Sequence, residues 1–116
     1  MHQVTGRVLL DGWQGEPGPA TVYVRLLDTT RIDAMARKIV EVILYDVWLD
    51  QVQEEGIEFC LWAGEVDVRA RYEVGVLVDL DGDGRKGVGD YLNTVSYPVL
   101  TQGFPAYVEA RARRIG

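Results

Sequence analysis

Val66-Asp67-Val68-Arg69-Ala70-Arg71-Tyr72-Glu73-Val74-Gly75-Val76-Leu77-Val78 is the clearest alternating stretch of the chain. Val66, Val68, Ala70, Tyr72, Val74, Val76 and Val78 fall on one face of an extended backbone, and Asp67, Arg69, Arg71 and Glu73 on the other. A period of two, with β-branched and aromatic residues on one side, reads as a half-buried strand of an antiparallel sheet. One interruption is expected near Asp67, in a turn following Gly64.

Upstream, Val4, Gly6, Val8 and Leu10 alternate with Thr5, Arg7 and Leu9, a first strand that ends in the turn-rich segment Asp11 to Pro19. Pro17, Gly18 and Pro19 cannot continue a ladder, so a second strand runs over Ala20 to Asp28, and the two strands are expected to pair as a hairpin. Arg31 to Val52 contains neither Gly nor Pro and admits two readings. A helix would place Asp46 in the stripe of Met35, Ile39, Val42 and Ile43. A strand puts Val40, Val42 and Leu44 on one face and Ile39, Ile43 and Tyr45 on the other. The Ile, Val, Tyr and Trp content of Ile39 to Trp48 favours the strand and leaves a short helix open between Asp33 and Arg37.

After the polar link Asp50 to Gly56, Ile57 to Trp62 is again strand-like, with Cys60 expected in or beside the core as a small hydrophobe. Leu92 to Leu100 and Tyr107 to Ile115 complete the set, separated by the turn signal Thr101-Gln102-Gly103. Seven short strands in 116 residues predict one all-β domain over residues 1–116, a seven-stranded, mainly antiparallel β-sandwich.

Twelve basic against eighteen acidic side chains leave a net charge of -6, which repels a phosphate backbone, so nucleic acid is not an expected partner. Met1 to Arg7 lacks the basic stretch and apolar run of a signal peptide. Glu41 and Asp46 interrupt the longest apolar run, well short of the ~20 residues of a spanning helix, so no transmembrane segment is expected. A single cysteine, Cys60, rules out an internal disulfide and a cysteine zinc cage. The one serine, Ser96, reads as lying within a strand, and the one histidine, His2, lies at the frayable N-terminus. Neither a triad nor a paired-carboxylate site stands out, and the chain is not expected to be an enzyme.

Asp79-Leu80-Asp81-Gly82-Asp83-Gly84-Arg85-Lys86-Gly87-Val88-Gly89-Asp90 is the sharpest chemical signal. Acids at its first, third, fifth and last positions, with glycine at the sixth, match the calcium-loop pattern, in which alternate side chains of a curled backbone converge on a hard cation. Asp79, Asp81, Asp83 and Asp90 are the candidate carboxylate ligands, Arg85 would contribute its carbonyl, and Gly87 marks a place for a bridging water. The last position is Asp rather than a bidentate Glu, Lys86 stands where an apolar anchor is usual, and the flanks read as strands, so the loop is not an EF-hand. The competing reading is a Gly-rich hairpin whose aspartates favour turns, with Arg85 and Lys86 balancing part of the charge.

Arg69, Arg71, Arg111, Arg113 and Arg114 form two short basic runs; if their strands are neighbours, Arg69 and Arg71 are expected to pair across the sheet with Glu109 or Glu73 rather than to hold an anion. Trp13, Trp48 and Trp62 are expected as core or edge cover.

Val4-Thr5-Gly6-Arg7-Val8, followed by Pro19-Ala20-Thr21-Val22-Tyr23-Val24-Arg25-Leu26-Leu27-Asp28-Thr29-Thr30-Arg31-Ile32-Asp33-Ala34, resembles the first half of the YbaY and YscW-type lipoprotein family, the type III secretion lipoprotein chaperone or pilotin domain. Ile57-Glu58-Phe59, Tyr72-Glu73-Val74 and Tyr97-Pro98-Val99-Leu100-Thr101-Gln102-Gly103 resemble its second half. The resemblance implies a small β-sandwich without enzymatic activity in the cell envelope. In the pilotin branch it implies a protein partner, a secretin or another envelope protein, and capture of a partner segment by a strand edge or an apolar groove. The chain as given carries no leader and no lipid-attachment cysteine, so membrane anchoring is expected only through a lipidated N-terminus lying outside it, unless this member is not a lipoprotein. The alternative function is a calcium-stabilised structural module built on residues 79–90.

Overall fold

Tyr72 to Val76 alternate as the sequence dictates, with Tyr72, Val74 and Val76 buried between half-buried neighbours, while Leu77, Val78 and Asp79 are all buried; residues 20–28 alternate in the same way. The computed structural model describes residues 2–31 and 33–116; Met1 and the Ile32 of the family-like stretch lie outside the described residues. The strands are β1 (His2–Asp11), β2 (Ala20–Asp28), β3 (Arg37–Val47), β4 (Ile57–Gly64), β5 (Tyr72–Asp79), β6 (Tyr91–Leu92), β7 (Pro98–Val99) and β8 (Tyr107–Arg114). A one-turn helix, α1 (Leu49–Val52), sits between β3 and β4.

The fold is all-β, but the expected seven-stranded sandwich is corrected, among the described residues, to a single hydrogen-bonded sheet of eight strands. Its order is β3-β2-β5-β6-β8-β1-β4, with β7 paired to β5 off that path. The joining strand is β8. One edge of it pairs antiparallel with β6, Tyr91 opposite Arg114, and the other pairs parallel with β1, from Thr5 opposite Tyr107 to Asp11 opposite Arg113. Two layers that would otherwise face each other are thereby stitched into one sheet, which curls until β3 and β4, the two ends of the order, lie against each other without a ladder between them. The result is a nearly closed barrel. Val4, Val8, Val22, Val24, Leu61 and Val78 point inward at no more than 1% exposure, each contributing about 1.5–3 kcal/mol by leaving water.

The expected β1–β2 hairpin does not form. Residues 12–19 form an eight-residue excursion in which Trp13 donates its indole N–H to the Glu16 carbonyl at 2.9 Å, carrying the chain across the barrel. β2 pairs instead with β3 and β5, and β1 with β4 and β8. Arg37 to Val47 is the strand its composition favours, and residues 33–36 form a turn rather than a helix.

Val66, Val68 and Ala70 fall outside β5, because Asp67 takes the Arg69 N–H on Oδ1 at 2.9 Å and its own N–H goes to the Tyr72 hydroxyl at 3.1 Å. A local aspartate turn of this kind competes with the ladder. The same turn corrects the expected pairing of Arg69, whose ion pair is with Asp67 at 3.6 Å. Leu92 to Leu100 is likewise not one strand but β6 and β7. Between them Asn93 accepts the Val76 N–H at 2.8 Å and donates to the Val95 carbonyl at 3.1 Å, so a side chain replaces the ladder. Ser96 therefore lies in a loop, with its hydroxyl on Glu73.

Cys60 faces outward between Glu58 and Trp62, half-buried, and accepts a hydrogen bond from the Gln3 side chain at 2.8 Å. Phe59 and Leu61 hold the inward positions that flank it. Among the described residues no helix is long and apolar enough to cross a membrane.

Candidate functional site

The sheet sets both ends of the acidic loop. Asp79 is the last residue of β5 and Asp90 immediately precedes β6, and the two neighbouring strand termini bring their side chains together. The chain between them curls because each aspartate turns the backbone back on itself. Asp79 accepts the Gly82 N–H on Oδ1 at 3.0 Å and the Gly84 N–H on Oδ2 at 2.8 Å, and Asp83 accepts the Arg85 N–H at 2.8 Å. Gly84, at the sixth position, has φ of 73°, the left-handed bend that the spacing calls for. The far end is held by Ile115, whose N–H donates to the Asp90 carbonyl at 2.8 Å.

One oxygen from each of Asp79, Asp81, Asp83 and Asp90 lies within 4.8 Å of the others. Asp79 and Asp90 are each 1% exposed, whereas Asp81 and Asp83 face solvent. Arg85 is exposed, with its N–H on Asp83. Among the described residues neither Arg85 nor Lys86 forms an ion pair with any of the four carboxylates.

The crowding leaves an electrostatic signature. A hydrogen bond shared with Asp79 raises the Asp81 carboxyl to about 6. Burial pushes Asp79 upward too, but the shared proton and the N–H groups of Gly84, Gly82 and Asp81 outweigh it and hold Asp79 below the ordinary value. Burial, aided by the Asp79 charge, raises Asp90 against the pull of the Leu80 N–H.

A second feature is legible only in three dimensions. Among the described residues β3 pairs only with β2, and β4 only with β1, so two strand edges face one another along an open seam. The first half of β3 is guarded by charge: Glu41 receives Arg25 and Lys38, and Arg37 reaches Asp28. The second half is apolar. Val42 and Leu44 point inward but remain half-buried because no strand covers them. A bulge at the end of the strand sets Asp46 at φ of 53° and leaves Tyr45 70% exposed. An open groove of about 690 Å³ follows, lined by Leu44, Tyr45, Trp48, Val52, Ile57 and Glu58. Trp48 is 44% and Trp62 56% exposed, Trp62 on the edge strand β4 and Trp48 just past the end of the edge strand β3, so both take the edge rather than the core position, while Trp13 is part-buried. Nothing in the local sequence marks the seam, since it depends on which strands remain unpaired.

The architecture defines a pilotin-like class of fold. A solved alternative pilotin from the type II secretion system of Vibrio cholerae superposes at a TM-score of 0.77 with 22% identity, over 99% of this chain and 97% of that one. No protein-family model matches the chain, and none of the curated proteins compared with it matches either.

Proposed function

We propose that the protein is a non-enzymatic, pilotin-type chaperone of the cell envelope, of the YbaY and YscW kind. It holds an extended segment of a secretion-system partner, a secretin or a related envelope protein, along the seam between β3 and β4. The observation that carries this reading is the pair of edges, unpaired among the described residues, that face each other beside an open groove lined by both apolar and acidic side chains. An edge strand offers a row of free N–H and C=O groups that an incoming strand can satisfy, and half-buried side chains such as Val42 and Leu44 offer the pockets that select it. The charges at Arg37, Lys38 and Glu41 direct the incoming segment toward residues 42–48. The whole-chain likeness of fold to a pilotin supports the same reading.

The test is co-purification of the protein with the soluble segment of a secretin from the same envelope, comparing wild type with Tyr45→Arg and Trp48→Ala. Both side chains are exposed, so the variants should melt within a few degrees of wild type and lose the partner. Folded variants that retain the partner undiminished would overturn the reading.

A further inference from the structure

Among the described residues, Asp90 is the aspartate of the acidic loop with a buried oxygen left without a partner. It is 1% exposed; its Oδ1 accepts the Leu80 N–H at 2.8 Å, and its Oδ2 is buried with no hydrogen-bond partner. That free oxygen is aimed into the cluster. A Cβ placed on Gly87 would lie 3.8 Å from Asp90 Oδ2 and 3.9 Å from Asp81 Oδ2, so both oxygens border the same small space. A buried carboxylate oxygen without a partner is costly, and more so beside three further carboxylates with no lysine or arginine paired to them among the described residues. A cation in that space would satisfy Oδ2 and neutralise the cluster together.

We propose that residues 79–90 form a calcium site, with carboxylate oxygens of Asp79, Asp81, Asp83 and Asp90 converging on the ion. The donor set is all oxygen, which selects a hard cation. The curled loop and the exposed side at Asp81 and Asp83 leave room for the waters and carbonyls, Arg85 among them, that bring calcium to six to eight ligands. Magnesium demands a tighter octahedron and gives up its water reluctantly, so a loose ring of four carboxylates favours the larger ion. The site is independent of the β3–β4 seam, being built on the β5–β6 ends of the sheet.

The experiment is calorimetric titration of calcium chloride into the full chain after chelator treatment and desalting, with melting curves recorded in parallel and magnesium as the comparison ion. Wild type should show one saturable site and a Tm that rises with calcium. Asp83→Asn, which alters an exposed carboxylate, should fold normally and bind about tenfold or more weakly. Asp90→Asn keeps an acceptor for Leu80 and places a donor beside Asp81. In chelator it should melt no lower than wild type, and it should lose the calcium response. The proposal is overturned by no heat and no Tm shift up to about 10 mM calcium, a range beyond the affinities of extracellular calcium modules. It is equally overturned by magnesium binding as tight as calcium, or by a calcium response that survives in both variants.

Discussion

Gly6 of β1 and Val108 of β8 approach so closely that a Cβ on Gly6 would stand 1.9 Å from the Val108 carbonyl oxygen, with the Phe59 ring at 3.0 Å. The contact sits in the parallel pairing that closes the sheet, and the obstructing atom is backbone, which cannot step aside. Gly6→Ala should therefore destabilise the protein by about 2–3 kcal/mol, the upper part of the overpacking range. Gly75→Ala meets only the Leu27 side chain at 3.1 Å and should cost under about 1 kcal/mol. Urea unfolding of the two variants checks the contrast, and equal losses would show that the Gly6 backbone gives way.

Tyr72 and Trp62 are large aromatics in neighbouring alternating stretches, yet their burial differs: Tyr72 is 6% exposed and Trp62 56%. Tyr72→Ala should cost roughly 3–5 kcal/mol, counting the cavity and the Asp67 N–H that loses its acceptor. Trp62→Ala should change stability by no more than about 0.5 kcal/mol. Chemical denaturation midpoints separate the two.

Tyr91 is fully buried and donates its hydroxyl to Glu16 Oε1, linking the start of β6 to the 12–19 excursion. Burial, reinforced by the Glu16 hydrogen bond and charge, pushes its phenol well above the ordinary value near 10. The neutral form is thus favoured in the fold, so stability is intact below about pH 10 and falls above it, where the unfolded chain releases a proton that the folded chain retains. An alkaline titration by ultraviolet absorbance, compared between wild type and Tyr91→Phe, should find Tyr91 silent until the protein unfolds. Tyr91→Phe should remove that behaviour and cost about 1–3 kcal/mol by stranding Glu16.

Glu41 lies across the β2–β3 pairing from Arg25, whose hydrogen bond, opposed by burial and aided by the charges of Arg25 and Lys38, holds its carboxyl below the ordinary value. A lowered carboxyl contributes stability that is complete above about pH 4.5 and is lost as acid protonates the folded form. Arg25 is 35% exposed, so the pair is screened and Glu41→Gln should cost only about 0.5 kcal/mol at neutral pH. The difference between variant and wild type should vanish in acid melts; a gap that persists there would assign the effect to packing instead.

Alternation is a local property, and β2, β4, β5 and β8 were legible from it because a side chain's face follows from the residues two positions away. The spacing of the aspartates in 79–90 was legible too, and the structure brings Asp79, Asp81, Asp83 and Asp90 together as that spacing suggests. Pairing was not. The hairpin of β1 with β2 is the economical guess from adjacency, and it fails because β1's partners lie at residues 57–64 and 107–113. The burial of Asp90 was equally hidden, since the Ile115 N–H that pins its carbonyl and the Leu80 N–H that claims one oxygen arrive from either side of the loop. Along β4, Cys60 and Trp62 share the outward face with Glu58 while Phe59 and Leu61 point inward, which leaves Cys60 beside the core and Trp62 as cover on an edge strand, both within what the sequence admits.

The parallel pairing of β1 with β8 joins residues roughly a hundred positions apart in the chain. Removing β8 from the order would leave β1 and β4 as one fragment and β3, β2, β5 and β6 as another, with no ladder between them. A chain emerging N-terminus first from a ribosome can therefore assemble both fragments but cannot join them until β8 arrives. Long-range closure of this kind is intrinsically slow. Until it is complete, β1 and β6 each carry a vacant edge, so the nascent protein is exposed to mispairing with other chains along strands that the finished barrel conceals.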